Sequence, residues 1–468
     1  MLYRPGVMNE FLPASLQRLL LETPELKEAY LVGGCVRDWL LGASVKDFDL
    51  EVFGTDYDRL VQALSRWGRV DRVGRSFGVV KLTVAPGETH DFTLPRRDSK
   101  VAPGHRGFRV EVDPALGPRD AAARRDFTIN ALMWHPGRRE LLDFFGGESD
   151  LRSGILRHTS EAFDEDPLRV LRGMQFAGRF RLTGAPDTLA LCRGIADRYS
   201  ELPVERIREE WFKWAAQSVQ PSAGLRWLKD SGWRIHVPEL AALDGVPQDP
   251  EWHPEGDVWT HTLHCLDALV DLDAWRTADP GGRRLLTFAT LCHDFGKPSC
   301  TRSENRAGTL RIVSPGHEAA GGPIEQAFLG RLQAPEALVA RVVPLVTHHL
   351  AHLQPLSPRG IRRLAVRLAP ATLSQLETLI TADAFGRPPH PRIEPPGLVR
   401  LRALAAELAV SSRAPRPLLL GRHLLERGMA PGPEFSRILS AAFEAQLDGA
   451  FENLDGAQAW LDAHGTSA

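Results

Sequence analysis

Two aspartates spaced two residues apart, Asp47 and Asp49, follow a double glycine, Gly33-Gly34. On a strand that spacing puts both carboxylates on one face. Like charges so placed repel unless a cation sits between them. Mg2+ suits the pair, because it takes a few carboxylate oxygens and shares the rest with substrate phosphates. Such ions can activate an attacking 3′ hydroxyl and steady a departing pyrophosphate. Lacking a Cβ, each glycine lets the backbone approach a triphosphate closely. The helix that opens through Cys35-Val36-Arg37-Asp38 then aims its first N–H groups at it. Glycine turn and acidic strand together predict a nucleotidyl-transfer site, with Asp47 and Asp49 as catalytic Mg2+ ligands.

From these motifs the chain resembles the bacterial class II tRNA nucleotidyltransferases and poly(A) polymerases, within the polymerase-beta-type superfamily. The likeness continues through Arg124-Arg125-Asp126-Phe127-Thr128-Ile129-Asn130, which is similar to the family motif that handles ribose and triphosphate. Arginine can grip phosphate bidentately, and an aspartate can accept from a ribose hydroxyl. Asp143, Gly146-Gly147 and Asp150-Leu151 resemble the hinge between catalytic head and neck. Glu165-Asp166-Pro167-Leu168-Arg169-Val170-Leu171-Arg172 resembles the family's templating helix, and Glu205 to Trp211 the segment that braces it. The resemblance implies that Asp166 accepts from the exocyclic amine of C or A while Arg169 donates to the ring acceptor beside it. U and G present a carbonyl at that place and would leave Asp166 unpaired, a mismatch that discriminates strongly. The expected nucleotide-binding set is Gly33, Gly34, Arg37, Arg125, Asp126, Asn130, Asp166, Arg169 and Arg172.

The implied activity is template-independent addition of CCA to the tRNA 3′ end, with CTP and ATP as substrates. A poly(A) polymerase, or an enzyme adding only CC or only A, shares every one of these motifs. Enzymes of the resembled family that add only CC are marked by a shortened loop; the glycine-rich, charged loop from Arg96 to Phe108 is not shortened, so the resemblance implies full CCA addition.

A separate constellation comprises His261, His293-Asp294, His317, His348-His349 and Asp383. An adjacent His-Asp at the end of an apolar run can bind metal through imidazole and carboxylate, the aspartate bridging two ions. This resembles the HD phosphohydrolase superfamily. His261 would be the first ligand, and His317, His348 or His349, and Asp383 the later ones, around a divalent transition metal or Mg2+. By analogy the domain would hydrolyse 2′,3′-cyclic or 2′-phosphates. A third reading makes the chain an HD nucleotide hydrolase whose head is an RNA-binding remnant. Intact Asp47 and Asp49 argue against it.

Several elements must position these groups. Tyr30-Leu31-Val32, Phe48 to Phe53, Val79 to Val84 and His90 to Thr93 read as strands of one sheet, and residues 12–30 as an amphipathic helix. Past about 152, helical periodicity takes over. The expected class is α+β, a polymerase-beta-type head followed by all-α domains. The expected divisions are a head over 1–150, a helical neck over 151–235, an HD domain over 236–387 and a helical tail over 388–468. Residues 236–257, rich in proline and glycine, read as a linker insulating the two sites.

The 468 residues carry a formal net charge of −2, so any RNA contact must be local. Residues 96–125 supply such a patch, with eight Arg/Lys against four Asp/Glu. Five scattered cysteines without a CxxC pair argue against a disulfide framework and fit a cytoplasmic protein. No apolar run suits a membrane span.

Overall fold

The computed structural model describes residues 8–45, 47–71, 78–100 and 108–464. The centre of the Arg96–Phe108 loop, 101–107, lies outside them. The chain folds as two compact units that divide at His236 and Val237, with 215–217 belonging to the second.

The first unit is built on a seven-stranded sheet in the order β3-β4-β5-β2-β1-β8-β9. Its strands are β1 (Ala29–Val32), β2 (Asp49–Val52), β3 (Arg69–Asp71), β4 (Val79–Ala85), β5 (Glu88–Thr93), β8 (Met133–His135) and β9 (Glu140–Leu142); β6 (Arg96–Lys100) and β7 (Phe108–Val112) form a separate hairpin. Leu31, Leu50, Val52, Val80 and Phe92 are fully buried, the inward half of each strand's alternation. The central β2 pairs antiparallel with β1 and parallel with β5. That parallel register sets Asp49 beside Asp91.

Helices complete the unit. The helix Leu168–Phe180 buries Leu168, Val170, Leu171, Met174 and Phe176. It meets the helix Pro221–Asp230 at Gly173, where an added Cβ would stand 2.2 Å from Trp227 Cζ2. The Trp227 indole N–H donates to Val170 O at 2.8 Å, which fixes the register of the pair.

The second unit is helical around the helices Val258–Asp271, Pro280–Cys292, His317–Arg331, Glu336–Thr347 and Leu373–Phe385. A C-terminal cluster of Leu419, Leu424, Ile438, Ala442, Phe451, Ala457 and Leu461 has its own small core. Among the described residues, no helix is long and apolar enough to cross a membrane.

Three expectations change. The helix expected over 12–30 spans only Ala14–Glu22, because Pro24 cannot continue it and starts a short 3-10 turn, Pro24–Leu26. A β-hairpin, Arg302–Arg306 with Thr309–Val313, interrupts the helical region. Its tight turn places Ala307 and Gly308 at positive φ (53° and 86°), without the Asn-Gly signal that marks most such turns. Finally, the expected linker 236–257 is no linker: Pro238–Ala242 is helical, and 243–257 is tied down by hydrogen bonds. Val258 N–H donates to Val246 O, Gly245 N–H to Asp257 Oδ2 and Lys297 Nζ to Gln248 Oε1, so the segment is built into the second unit.

Two candidate active sites

In the first unit, Asp49 opens β2 and Asp47 lies two residues before it, outside the strand on which both were expected; both stay open to solvent. Asp91 on β5 joins them, and Lys81 Nζ lies 3.4 Å from its carboxylate. Partial desolvation raises the Asp49 carboxyl above its usual range; the Asp91 and Asp47 charges raise it further, while Arg125 and Lys81 oppose. The carboxylates thus form a cluster in want of a cation. Asp91 escaped the sequence reading. Its signal was an acid between His90 and Phe92, on a strand that parallel pairing alone brings to Asp49.

Glu51, two residues beyond Asp49, has a fully buried side chain and accepts from both Arg124 and Arg125, each at 3.1 Å. Burial would raise its carboxyl, but Arg125 and then Arg124 hold it below the usual range. Arg125 is thereby aimed at the double glycine, where a Cβ on Gly33 (φ 72°) would meet Arg125 Nη1 at 2.7 Å. Only glycine fits that turn.

A buried network backs this wall. Arg37 Nη1 donates to Asn130 Oδ1 at 2.5 Å, and Asn130 Nδ2 to Asp126 Oδ1 at 2.9 Å. Arg172 Nε donates to Asp126 Oδ2 at 2.7 Å. Arg37 also packs its guanidinium over Phe176 and Phe180. Asp126 and Arg37 are therefore occupied inside the protein, where the expectation was direct contact with nucleotide. Burial would raise Asp126, but Arg172 and Asn130 keep it ionised.

Asp166 stands at the start of the helix Leu168–Phe180. It accepts from Leu168 N at 3.2 Å and from Arg206 Nη2 at 2.9 Å. Arg169 is held by Ala162 O at 2.6 Å and Arg124 O at 2.7 Å. A carboxylate has about four lone-pair sites and a guanidinium five N–H donors, so each keeps capacity for a base edge. The brace expected from Glu205 to Trp211 is realised in part by Arg206.

The second site is enclosed. His261, His293, Asp294, His317, His349 and Asp383 are all buried. Asp294 reaches His317 Nε2 at 3.3 Å and His293 Nε2 at 3.3 Å; Asp383 reaches His261 Nε2 at 3.1 Å. Three imidazoles are pinned alike. Nδ1 of His293, His317 and His349 faces the carbonyls of Thr290, Ser314 and Val346, each at 2.7 Å. A carbonyl only accepts, so each Nδ1 carries hydrogen and each Nε2 of a neutral ring is bare. Yet Nε2 of His317 and of His349 lie 3.2 Å apart. Two lone pairs facing each other make sense around a cation, and bare Nε2 is a common metal-ligand form.

Burial and the neighbouring His293 and His317 push His349 down to about 3. Burial would lower His293 too, but Asp294 beside it overrides this and raises it, so a proton there stands where a metal would. Asp294 Oδ2 lies 2.8 Å from Lys297 Nζ, yet it and His293 Nε2 complete no hydrogen bond of good geometry. These orphaned atoms fit a metal. Arg387 Nη2 meets Asp383 at 2.6 Å. A cavity of about 550 Å3 opens onto the cluster, lined among others by Asp294, Lys297, His317, His349, Asp383 and Arg387.

His348 lies apart from this group. Consecutive residues at a helix end point to different sides, and its ring sits near Arg367 in a separate groove. Two contributors went unread. The buried Glu255 carboxylate accepts from His261 Nδ1 at 2.8 Å and from His253 Nδ1 at 2.9 Å. Burial would raise it, but hydrogen bonds from those rings hold it down to about 2. Glu255 thus orients His261 with Nε2 inward, from the segment expected to be a linker.

The poly A polymerase head domain model matches residues 29–157. A multifunctional CCA protein of Xanthomonas campestris pv. campestris (strain B100) is 38% identical over 397 residues, 82% of this chain and 92% of its own length. That of Laribacter hongkongensis (strain HLHK9) is 36% identical over 78% of this chain and 86% of its own. In fold, the chain is similar to the Bacillus stearothermophilus CCA-adding enzyme in complex with CTP (TM-score 0.67, 21% identity, 97% of this chain and 99% of that one). It is also similar to the Thermotoga maritima CCA-adding enzyme complexed with tRNA (TM-score 0.57, 18% identity, 98% and 96%). With such identity over four-fifths of its length, around an acidic cluster on a polymerase-beta-type sheet, the chain belongs to the multifunctional CCA protein family.

Proposed function

We propose that the protein adds CCA, from CTP and ATP, to the 3′ end of tRNA. The observation that carries this reading is the 38% identity to proteins named for CCA, in a chain that keeps Asp47, Asp49 and Asp91 together. The three carboxylates suit Mg2+, which when bound activates the 3′ hydroxyl and neutralises the leaving pyrophosphate. Arg125, oriented by Glu51, offers its remaining N–H groups to the triphosphate beside Gly33 and Gly34. Arg37, Asp126, Asn130 and Arg172 hold that wall rigid, which lowers the reorganisation needed at the moment of transfer. Asp166 takes the exocyclic amine of C or A, and Arg169 donates to the neighbouring ring acceptor. The test supplies a tRNA lacking CCA with labelled CTP, ATP or both. Addition of C from CTP alone and a complete CCA end from both are expected. Long A tails from ATP alone would instead make the protein a poly(A) polymerase. An end that stays at CC with both would make it a CC-adding enzyme.

We propose a second activity for the second unit: metal-dependent hydrolysis of phosphate esters such as 2′,3′-cyclic ends. The facing bare Nε2 atoms of His317 and His349 carry it. His261, His293, Asp294, His317, His349 and Asp383 are the proposed ligands of transition-metal or Mg2+ ions, which when bound supply an activated water. Lys297 and Arg387, at the cavity wall, balance phosphate charge.

A further inference from the structure

We infer that Cys265 is a ligand of one metal ion in the second unit, giving that ion a thiolate and making it a thiophilic transition metal. The inference rests on the metal-dependent reading of the same cluster. One ligand atom from each of His261, Cys265, His293 and Asp383 lies within 4.8 Å of the other three, and all four residues are buried. Cys265 Sγ is 3.3 Å from His261 Nε2, itself 3.1 Å from Asp383 Oδ1. Ligands around a tetrahedral ion with bonds of about 2.0–2.3 Å must stand about 3.3–3.8 Å apart. The two gaps lie at or just under the lower edge of that range; Sγ is also 3.7 Å from His261 Nδ1, so the thiol rests against the ring and must turn toward Nε2 to share an ion with it.

His293 supplies an independent sign. Its Nε2 is buried, lies 3.3 Å from Asp294 Oδ2 without completing a hydrogen bond of good geometry, and its residue belongs to the same four-residue group. The helix Val258–Asp271 puts His261 and Cys265 on one face, one turn apart. Glu255 takes His261 Nδ1–H, so Nε2 is left bare, with the thiol beside the ring. Opposite, Gly386 makes room: a Cβ there would lie 2.4 Å from Cys265 Sγ. Asp294, His317 and His349 form a second group of ligand atoms. The two groups therefore offer unlike subsites. One has sulfur, two nitrogens and an oxygen, and suits Zn2+ or Co2+; the other has only nitrogen and oxygen. On binding, the ion takes the sulfur lone pair and the thiol proton leaves to solvent, so charge and atoms balance.

The test is anaerobic titration of the metal-free full chain with Co2+, followed by optical spectroscopy. Ligand-field bands together with a sulfur-to-cobalt charge-transfer band are expected. Cys265→Ser should lose the charge-transfer band and keep the ligand-field bands. It should also weaken Zn2+ binding at least about tenfold, since even an outer partner of a metal ligand is worth about 10–100-fold. Ligand-field bands without charge transfer, or a charge-transfer band that survives Cys265→Ser, would overturn the thiolate and leave the hydrolase reading standing. No Co2+ binding at all would overturn both. X-ray absorption of the Zn2+-loaded unmodified chain needs no variant: a sulfur scatterer at about 2.3 Å supports the ligand, and a nitrogen and oxygen shell alone refutes it.

Discussion

Nucleotide addition should titrate with Asp49. Desolvation and then the Asp91 charge raise its carboxyl, so it takes up a proton at a higher pH than an ordinary aspartate. Only the ionised form binds a cation. Addition should therefore rise with pH through that raised value, and added Mg2+ should shift the acid limb downward by competing with the proton. An acid limb that ignores Mg2+ would count against Asp49 as a ligand. Asp47→Ala or Asp49→Ala should slow addition by at least about a hundredfold, roughly 2.7 kcal/mol of barrier, with folding intact by circular dichroism. Asp166→Ala tests selection rather than rate. It should let UTP and GTP compete with CTP; unchanged nucleotide choice would reduce Asp166 to a partner of Arg206. Asp47 and Asp49 were expected from residue type and spacing, whereas Asp166 was expected only through the family resemblance. Asp91 and Glu51 were not legible in the same way. The first depends on which strand lies next to β2, and the second on two arginines more than 70 residues away in the chain.

At the scale of elements, the proposed base-selecting residues, Asp166 and Arg169, depend on one helix crossing. Leu168–Phe180 approaches Pro221–Asp230 closely only because residue 173 has no side chain. Gly173→Ala would drive a methyl into the Trp227 ring, an overpacking that costs about 1–3 kcal/mol. The melting temperature of the first unit should fall by about 2–4 °C for each kcal/mol lost. The CTP and ATP KM should rise as Asp166 and Arg169 shift. An unchanged melt would mean that the crossing relaxes freely. Helix Leu168–Phe180 was readable from its apolar spacing, whereas its partner contact was not, since a glycine inside a helix gives no hint of what it meets. The Arg302–Val313 hairpin was hidden for another reason. Its strands mix charged and apolar residues on a half-exposed ribbon, and its turn uses Ala307-Gly308. The 243–257 segment misled because proline and glycine mark irregular chain without saying whether it is free. Here side chains tie it down: Asp257 caps the helix Val258–Asp271, Asp249 accepts from Ile312 N, and Glu255 holds two histidines.

At the scale of the molecule, each proposed activity has its full set of groups inside one unit. Asp47, Asp49, Asp91, Arg125, Asp166 and Arg169 belong to the first, and all the histidine ligands, Cys265 and both buried aspartates to the second. The chemistries share no residue, so they should separate by mutation. His293→Ala combined with Asp294→Ala removes a proposed imidazole ligand and the carboxylate that touches both His293 and His317. Hydrolysis of 2′,3′-cyclic AMP should vanish, while CTP and ATP addition should stay within about twofold, well under the 1.4 kcal/mol that a tenfold change represents. Asp47→Ala should do the reverse. Metal should also stabilise the units unequally. An ion that binds only the folded cluster adds about 2.7 kcal/mol at a hundred times its dissociation constant. Zn2+ or Co2+ should therefore raise the melt of the second unit in the unmodified protein and not in the double variant. The alternative is a single hydrolytic and transferring centre in the first unit. It requires that hydrolysis survive the double variant and disappear with Asp47→Ala, and that metal leave the second unit's melt unmoved. Measuring hydrolysis and the melt in the same two variants decides between these, since the two accounts assign opposite outcomes to hydrolysis in each variant and only the first expects metal to raise the second unit's melt.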